Sequence, residues 1–523
     1  MIKVFIENEL RNFEADIRDL CIAFFPLKKI SYIKQWENED VVEDDNDIVI
    51  KNYFSGSLEG ERIKVKSEIK RQLYNYLKKV TGRTLLWGTL TGIRPVTIVT
   101  KMMEEYIYRE NMGIDGKSVN RDLKINNFFG LSPITEINNP IYKMKEEIKR
   151  ELENEYLISE EKTYELINIA YREIKILDRP EIKNFKDNYS IYVGVPFCKS
   201  TCLYCSFTSF NIDKYSLYVD KYLKSLETDF ENRIKNLKLK EEGCLKFSPL
   251  TLYIGGGTPT SLDAKSFEKM LIIIDKFVDR ENLVEYTIEA GRPDTIDYEK
   301  LSIMKKYGVT RISINPPSFN QKTLDIIGRK HKVSDVINKF KLARKMGFDN
   351  INIDIILGLP NEHYFDVLKT LFFVKMLKPD SFTVHSLALK RAARLNYELA
   401  DWTKNYYLAG IDGIEKGNSN IVEGKRVIDK MFKATVKLAE KLKLKPYYLY
   451  RQKNMAGNLE NVGYAKEGKE CIYNIMMMSE RHTVYGFGTA TTKEVFYEGD
   501  NKRIENTEGY KSVIDYCKYT ETL

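Results

Sequence analysis

Four histidines, three tryptophans and no apolar run near the roughly 18 residues needed to cross a bilayer are the scarcities that first bound this 523-residue chain. Without a membrane-length segment, no bilayer-spanning role is expected. The N-terminus, MIKVFIENELRNFEADIRDL, turns acidic early and lacks a basic start followed by a small-residue cleavage site. It does not read as a secretory signal, and a cytoplasmic location is expected. Cysteine is scarce as well. Its seven copies (Cys21, Cys198, Cys202, Cys205, Cys244, Cys471 and Cys517) are odd in number and uneven in spacing, which argues against a secreted disulfide framework. Neither sign of charge dominates: 83 Lys+Arg against 75 Asp+Glu leave a net +8. Even the basic run over 143–150 is diluted by glutamate, so no stripe awaits a phosphate backbone and nucleic-acid binding is not expected.

What is present is material for more than one core, with 43% apolar and 30% charged residues. Residues 1–178 mix β-like stretches (MIKVFIEN, DIVIKNYF) with amphipathic runs such as ERIKVKSEIKRQLYNYLKKV, and are expected as an N-terminal α+β domain. A polar, proline-containing linker, DRPEIKNFKDNYS, follows. From 189 to 395 six apolar strands (IYVGVPF, LTLYIGGG, EYTIEAG, TRISINP, INIDIILGLP, SFTVHSL) alternate with helical segments. Such β–α alternation predicts an α/β fold with a parallel sheet covered by helices. Six units suit a partial (β/α)6 barrel, with a doubly wound sheet as the alternative, although no G-x-G-x-x-G opens the first unit. Residues 396–523 are expected as a C-terminal, mostly helical subdomain.

In β/α barrels chemistry sits at the C-terminal ends of the strands, and the unusual residues fall there. The first strand ends in Cys198, Cys202 and Cys205, a C-x3-C-x2-C loop. Three thiolates so close can wrap one face of a 4Fe–4S cluster, leaving the fourth iron open to a small ligand. A structural zinc would want a fourth ligand, and the nearest histidine, His331, is more than a hundred residues away. An open iron of this kind can chelate the amino and carboxylate groups of S-adenosyl-L-methionine (SAM) and break its sulfonium bond by one-electron transfer. The second strand ends in Gly255, Gly256, Gly257 and Thr258, where bare backbone admits a ligand such as the SAM ammonium, or simply turns tightly. Glu289, ending the third strand, suits a ribose diol or is simply a strand-end surface glutamate. Asp354 stands in an otherwise apolar strand, where an acid is either paired or functional. Arg329, in IGRKH, is a candidate carboxylate partner or a solvated arginine. Tyrosine-rich PYYLYRQKNMAGNLENVGYA could grip a flat carboxylated substrate or form a subdomain interface.

Together VPFCKSTCLYCSF, YIGGGTPT, EAGRPDT, RISINP with IGRKH, and DIILGLP resemble the oxygen-independent coproporphyrinogen III oxidases of the radical SAM superfamily. WGTLTGIRP, TVHSLALKRA and YRQKNMAGNLENVGYA resemble its HemZ-type coproporphyrinogen dehydrogenase branch. The resemblance implies a three-quarter β/α barrel with SAM on the cluster and Tyr192, Gly257, Thr258 and Glu289 around it. A second SAM would meet Tyr204, Arg329 and Asp354, so one SAM or two are implied. The implied reaction turns two propionates of coproporphyrinogen III into vinyl groups, with a tetrapyrrole substrate and a reductant such as flavodoxin or ferredoxin as partners. Arg391, Arg394 and Arg451 would be available to pair with its carboxylates. Two positions depart from the pattern: Phe207 stands where the oxidases carry a fourth cysteine, and Pro317 where they carry a strand-end glutamine. Both bear on the second SAM. Relatives with three cysteines include haem chaperones and haem-modifying radical enzymes. Three readings therefore stand: dehydrogenase, haem carrier with His385 as its first candidate ligand, and radical enzyme on another substrate.

Overall fold

A computed structural model describes residues 2–5, 8–25, 30–33, 48–50, 54, 61–92, 94–112, 139–182, 184–207, 209–236, 246–388, 393–399, 419–452, 459–498 and 501–523. The chain divides into two compact units. One comprises Met1–Tyr171, Asp401–Asp429 and Tyr450–Glu460, the other Arg172–Ala400, Lys430–Leu449 and Asn461–Leu523.

In the first unit, β1 (Ile2–Phe5) pairs in parallel with β2 (Ile30–Ile33) and β3 (Ile48–Ile50). Helices α1 (Glu14–Phe24) and α2 (Arg62–Thr81) bury Ile17, Leu20, Phe24, Ile69, Leu73 and Leu77 against Val4 and Ile50. These apolar positions recur three and four residues apart, which is why both runs become helices. Three more helices follow: α3 (Pro95–Met112), α4 (Pro140–Asn154) and α5 (Glu160–Leu177).

Trp87 of WGTLTGIRP meets Arg451 and Glu460 of the tyrosine-rich motif inside this unit. Trp87 Nε1 donates to Glu460 Oε2 at 3.0 Å, and buried Lys162 bonds the same carboxylate. Arg451 is 5% exposed, stacks over the Trp87 ring at 4.9 Å and donates to Leu90 O at 2.6 Å. It is therefore committed inside the protein, contrary to its expected pairing with substrate carboxylates. Arg391, Lys453, Asn454 and Asn458 lie outside the described residues.

The second unit holds the six expected strands: β4 (Tyr189–Val195), β7 (Thr251–Gly256), β8 (Glu285–Glu289), β9 (Arg311–Ser313), β10 (Ile351–Leu357) and β11 (Ser381–Ser386). Each pairs in parallel with the next in that order. Helices α6 (Val219–Asn236), α7 (Ala264–Phe277), α8 (Tyr298–Lys306), α9 (Gln321–Ile326), α10 (Val333–Lys345) and α11 (Tyr364–Leu377) link them. Capping is explicit in the sequence: Asp263 accepts from Ser266 N and Asp297 from Lys300 N, both at 2.8 Å. The short pair β5 (Phe197–Cys198) and β6 (Phe210–Asn211) sits just after β4.

The C-terminal segment departs from the expected mostly helical subdomain. Besides α12 (Ser419–Lys441), α13 (Ile472–Ser479) and α14 (Val513–Thr520), it supplies five strands to the same sheet. At one edge β13 (Asn461–Ala465) runs antiparallel to β11, with β12 (Lys445–Tyr450) beyond it. At the other, β14 (Thr483–Gly488) runs parallel to β4, followed by β15 (Thr492–Glu498) and β16 (Asn501–Thr507). An open six-stranded sheet has two edges that need covering, and these short aromatic and β-branched segments cover them. The tyrosine-rich stretch belongs to that cover: the Tyr448 ring lies against Gly463, and Tyr464 stacks on Phe382 at 5.1 Å. Among the described residues no helix is long and apolar enough to cross a membrane.

Candidate cluster and cofactor site

The cysteine loop leaves β4 through β5. Cys198 is tied to Asn211 by the β5–β6 pair, and Asn211 Nδ2 returns to Lys199 O at 3.0 Å. Cys198 and Cys202 are buried and Cys205 is partly open; all three are free thiols. Burial pushes the Cys205 thiol up to about 11, so a metal would have to deprotonate it. Among the described residues no three His, Cys, Asp or Glu side chains gather closely enough to share one metal ion. Thiolates on a single ion stand within about 4 Å of one another, given metal–sulfur bonds of about 2.3 Å. A cubane sets no such limit, because each thiolate binds a different iron. Three unbridged thiols on one loop thus fit a 4Fe–4S cluster.

The glycine turn comes next to the first thiol. Thr258 Oγ1 lies 3.2 Å from Cys198 Sγ, and Thr258 N donates to Phe197 O at 2.7 Å. Gly257 N donates to Val195 O at 2.8 Å, and a Cβ there would stand 2.4 Å from Phe197 O. Gly256 has φ +105°, open to glycine and strained for other residues. This edge has no room for side chains and presents bare backbone, as a bound amino acid moiety requires.

Inward-facing side chains of β4, β7 and β8 build the neighbouring wall. Tyr253 donates to Glu289 Oε1 at 2.8 Å. A Cβ on Gly255 would touch both the Glu289 carboxylate and the Tyr192 hydroxyl at 3.0 Å. Tyr192, Tyr253 and Tyr473 stack with centroids 4.5 to 5.8 Å apart. Burial raises Glu289 to about 7, and the nearby Asp354 charge adds to the rise against the Tyr253 hydrogen bond.

Asp354 has the opposite fate. Burial would raise it, but His385, Asn352 and Thr383 hold it below the usual carboxylate range. His385 Nε2 is 3.8 Å away and Asn352 Nδ2 is 2.7 Å away. The two carboxyl groups, close enough for the Asp354 charge to act on Glu289, are thus pushed in opposite directions by their surroundings.

Arg329 and Tyr204 form a third group. Arg329 Nη2 donates to Tyr204 OH at 3.3 Å and Nη1 to Gly291 O at 3.2 Å, while its buried Nε has no partner. Burial works against its charge, yet the Cys202 and Cys198 sulfurs and Tyr204 favour it. No carboxylate forms an ion pair with Arg329 among the described residues.

The sequence-predicted residues thus form three groups: Cys198 with Gly256, Gly257 and Thr258; Tyr192 with Glu289, facing Asp354; and Tyr204 with Arg329. Asp354 lies with Glu289 and His385 and makes no hydrogen bond to Tyr204 or Arg329. Arg394 donates to Thr201 O at 3.1 Å on the cysteine loop. Phe207 is 68% exposed, and the Pro317 carbonyl accepts from Ile356 N at 2.9 Å. Tyr253 was not singled out from the sequence, although strand alternation puts it on the face of Gly255. Nor was Arg292, whose partner Ser200 is 92 positions away.

Residues 192–374 match the family model of the radical SAM superfamily. The Bacillus subtilis (strain 168) protein named oxygen-independent coproporphyrinogen-III oxidase-like protein HemZ is 35% identical over 453 residues, 86% of this chain and 78% of its own. The heme chaperone HemW of the same organism is 36% identical over 202 residues, 38% of this chain and 51% of its own. Among solved structures, the radical SAM enzyme coproporphyrinogen III oxidase (HemN) of Escherichia coli aligns over 65% of this chain and 71% of its own, with a TM-score of 0.46 and 18% identity. Radical SAM proteins are cluster and SAM proteins by family, and the donor set above suits both groups. The chain belongs to the radical SAM superfamily, in the family of the Bacillus subtilis HemZ coproporphyrinogen-III oxidase-like protein.

Proposed function

We propose that this protein is an oxygen-independent coproporphyrinogen III dehydrogenase of haem biosynthesis. The reading is supported chiefly by the 35% identity that runs through 86% of the chain, far beyond the shared β/α sheet, to a relative named coproporphyrinogen-III oxidase-like. When bound, cluster and SAM supply one-electron cleavage of a sulfonium bond and thereby a hydrogen-abstracting 5′-deoxyadenosyl radical. Cys198, Cys202 and Cys205 hold the cluster. Gly256 and Gly257 offer backbone to the amino acid end of SAM, while Glu289, fixed by Tyr253 and beside Tyr192, takes the ribose hydroxyls. Arg329 remains charged beside Tyr204 and suits a carboxylate, whether of a second SAM or of a propionate. Each propionate would lose a hydrogen atom from its β-carbon to the 5′-deoxyadenosyl radical, giving 5′-deoxyadenosine, and then carbon dioxide, with the remaining electron passing to an external one-electron acceptor, leaving a vinyl group. A one-electron carrier of the flavodoxin or ferredoxin class supplies reducing equivalents, and the reaction takes place in the cytoplasm.

The test is anaerobic. Reconstituted protein is given SAM, reductant and coproporphyrinogen III, and products are followed by mass spectrometry. Loss of two carbon dioxide units together with 5′-deoxyadenosine is expected. Deoxyadenosine with unchanged porphyrinogen would refute the substrate and retain the radical enzyme.

A haem-carrier reading draws on the partial likeness to HemW. Of the four histidines, His331 and His482 are buried and His363 is exposed at the start of α11, whereas His385 is partly open at the end of a strand of the candidate site. Stoichiometric haem binding that disappears in His385→Ala would favour the carrier.

A further inference from the structure

Resting on the reading of Cys198, Cys202 and Cys205 as cluster ligands, we propose that Arg292 and Arg394 are positioning residues that hold the cysteine loop in its cluster-binding shape from two separate segments.

Arg292 is 1% exposed in the turn after β8. Its fork is divided between two tasks. Nε and Nη2 take the Asp294 carboxylate at 3.0 and 2.8 Å, while Nη1 donates to Ser200 O at 3.2 Å and Ser200 Oγ at 2.7 Å. The Ser200 hydroxyl in turn donates to Gly328 O at 3.3 Å. Arg394 repeats the design from another segment. Nε and Nη2 meet Glu398 Oε1 at 2.7 and 2.6 Å, and Nη1 donates to Thr201 O at 3.1 Å. Leu395 N, the next residue, donates to Leu203 O at 2.9 Å. The carbonyls of Ser200, Thr201 and Leu203, lying between the first and last cysteines, are therefore all held by groups from distant segments.

Each of the two arginines is neutralised by its own carboxylate, so each acts on the loop through hydrogen-bond geometry more than net charge. Arg329 differs, having no carboxylate ion pair among the described residues. Three thiolates must reach three corners of a rigid cube, and a site holds its ligands best when their supports are locked beforehand. A lysine cannot replace Arg292, because one ammonium cannot grip Asp294 and Ser200 in two directions at once.

The test uses the full chain without iron, under anaerobic reducing conditions. Rates of maleimide alkylation are read cysteine by cysteine by mass spectrometry, with buried Cys21 and Cys471 as internal references. In Arg292→Lys, and in Arg292→Met combined with Asp294→Asn, Cys202 should react about tenfold faster, the effect of losing one charge-assisted hydrogen bond. Cys21 and Cys471 should keep their rates, and in a separate reconstituted sample the iron retained after a chelator challenge should fall. Arg394→Met should act in the same direction. A Cys202 rate within about twofold of wild type in all three variants would overturn the proposal. If the reference cysteines also speed up, the variant has lost its fold, and Ser200→Ala decides. It removes one hydroxyl only and should give about a threefold rise; no rise overturns the proposal. Wild-type protein that takes up no iron would contradict the cluster reading, whereas the alkylation pattern answers for the clamp alone.

Discussion

Adding one methyl group at Gly257 should disable the site while leaving most of the fold intact. The new Cβ would stand 2.4 Å from Phe197 O and 2.9 Å from Phe197 C, both backbone atoms with no rotamer to escape into. Contacts under 3.0 Å are essentially never seen for a real Cβ, so β5 and the end of β7 must part by at least 0.6 Å. That parting strains the Gly257 N to Val195 O and Thr258 N to Phe197 O bonds and draws Thr258 away from Cys198 Sγ. Overpacking of this kind costs about 1–3 kcal/mol. Gly257→Ala should therefore melt a few degrees below wild type. Its larger loss should be in SAM affinity and cluster retention, read by equilibrium dialysis and by iron content after anaerobic gel filtration. Gly291→Ala is the control, since its nearest atom is Asn315 Nδ2 at 3.6 Å, an ordinary contact. If Gly257→Ala bound SAM and iron as well as Gly291→Ala does, the account of the glycine edge would be refuted.

Other outcomes follow from the same structure. Glu289 titrates near 7 when folded and near 4.3 when unfolded, so between these values the native state binds more protons. Stability therefore falls as pH rises from about 4.5 to 7, by on the order of 3 kcal/mol. Glu289→Gln should remove that decline in denaturant titrations at pH 5 and pH 8; an unchanged slope would mean Glu289 is not the group responsible. In the N-terminal unit, Lys162→Met strands the buried Glu460 carboxylate and should cost about 3–5 kcal/mol. Adding Glu460→Gln should recover part of the loss, and simple additivity in chemical unfolding would argue against the buried pair. Air exposure should bleach the cluster and abolish deoxyadenosine formation, because an open iron is oxidised readily; activity that survives aerobic purification would count against the cluster.

The barrel part of the fold was legible because most of its parallel strands are short, largely apolar runs and most linking helices are capped or amphipathic. The cysteine loop was legible because its three ligands are contiguous in sequence. What escaped depends on distance along the chain. β14, TVYGFG, lies in a segment expected to be mostly helical, and only the open edge of β4, nearly 300 residues earlier, makes it a strand of this sheet. The same holds for Arg292 and Arg394, whose carbonyl partners lie 92 and 193 positions away. Arg451 was misread because its tyrosine-rich surroundings suggested a binding face. In the fold its guanidinium is sealed against Trp87 and Leu90 by pairing between two distant motifs. Local pattern reveals elements and contiguous motifs. Which buried cation serves which carbonyl is settled only by tertiary packing.

The central claim, that Cys198, Cys202 and Cys205 together hold a SAM-cleaving cluster, is tested most directly by one comparison. Wild type and Cys202→Ala are reconstituted anaerobically, and each is assayed for iron, sulfide, electron paramagnetic resonance after reduction, and 5′-deoxyadenosine formed from SAM. The account predicts a reducible 4Fe–4S signal and SAM cleavage in wild type, with both lost in Cys202→Ala. Equal cluster content and equal SAM cleavage in the two proteins would contradict it.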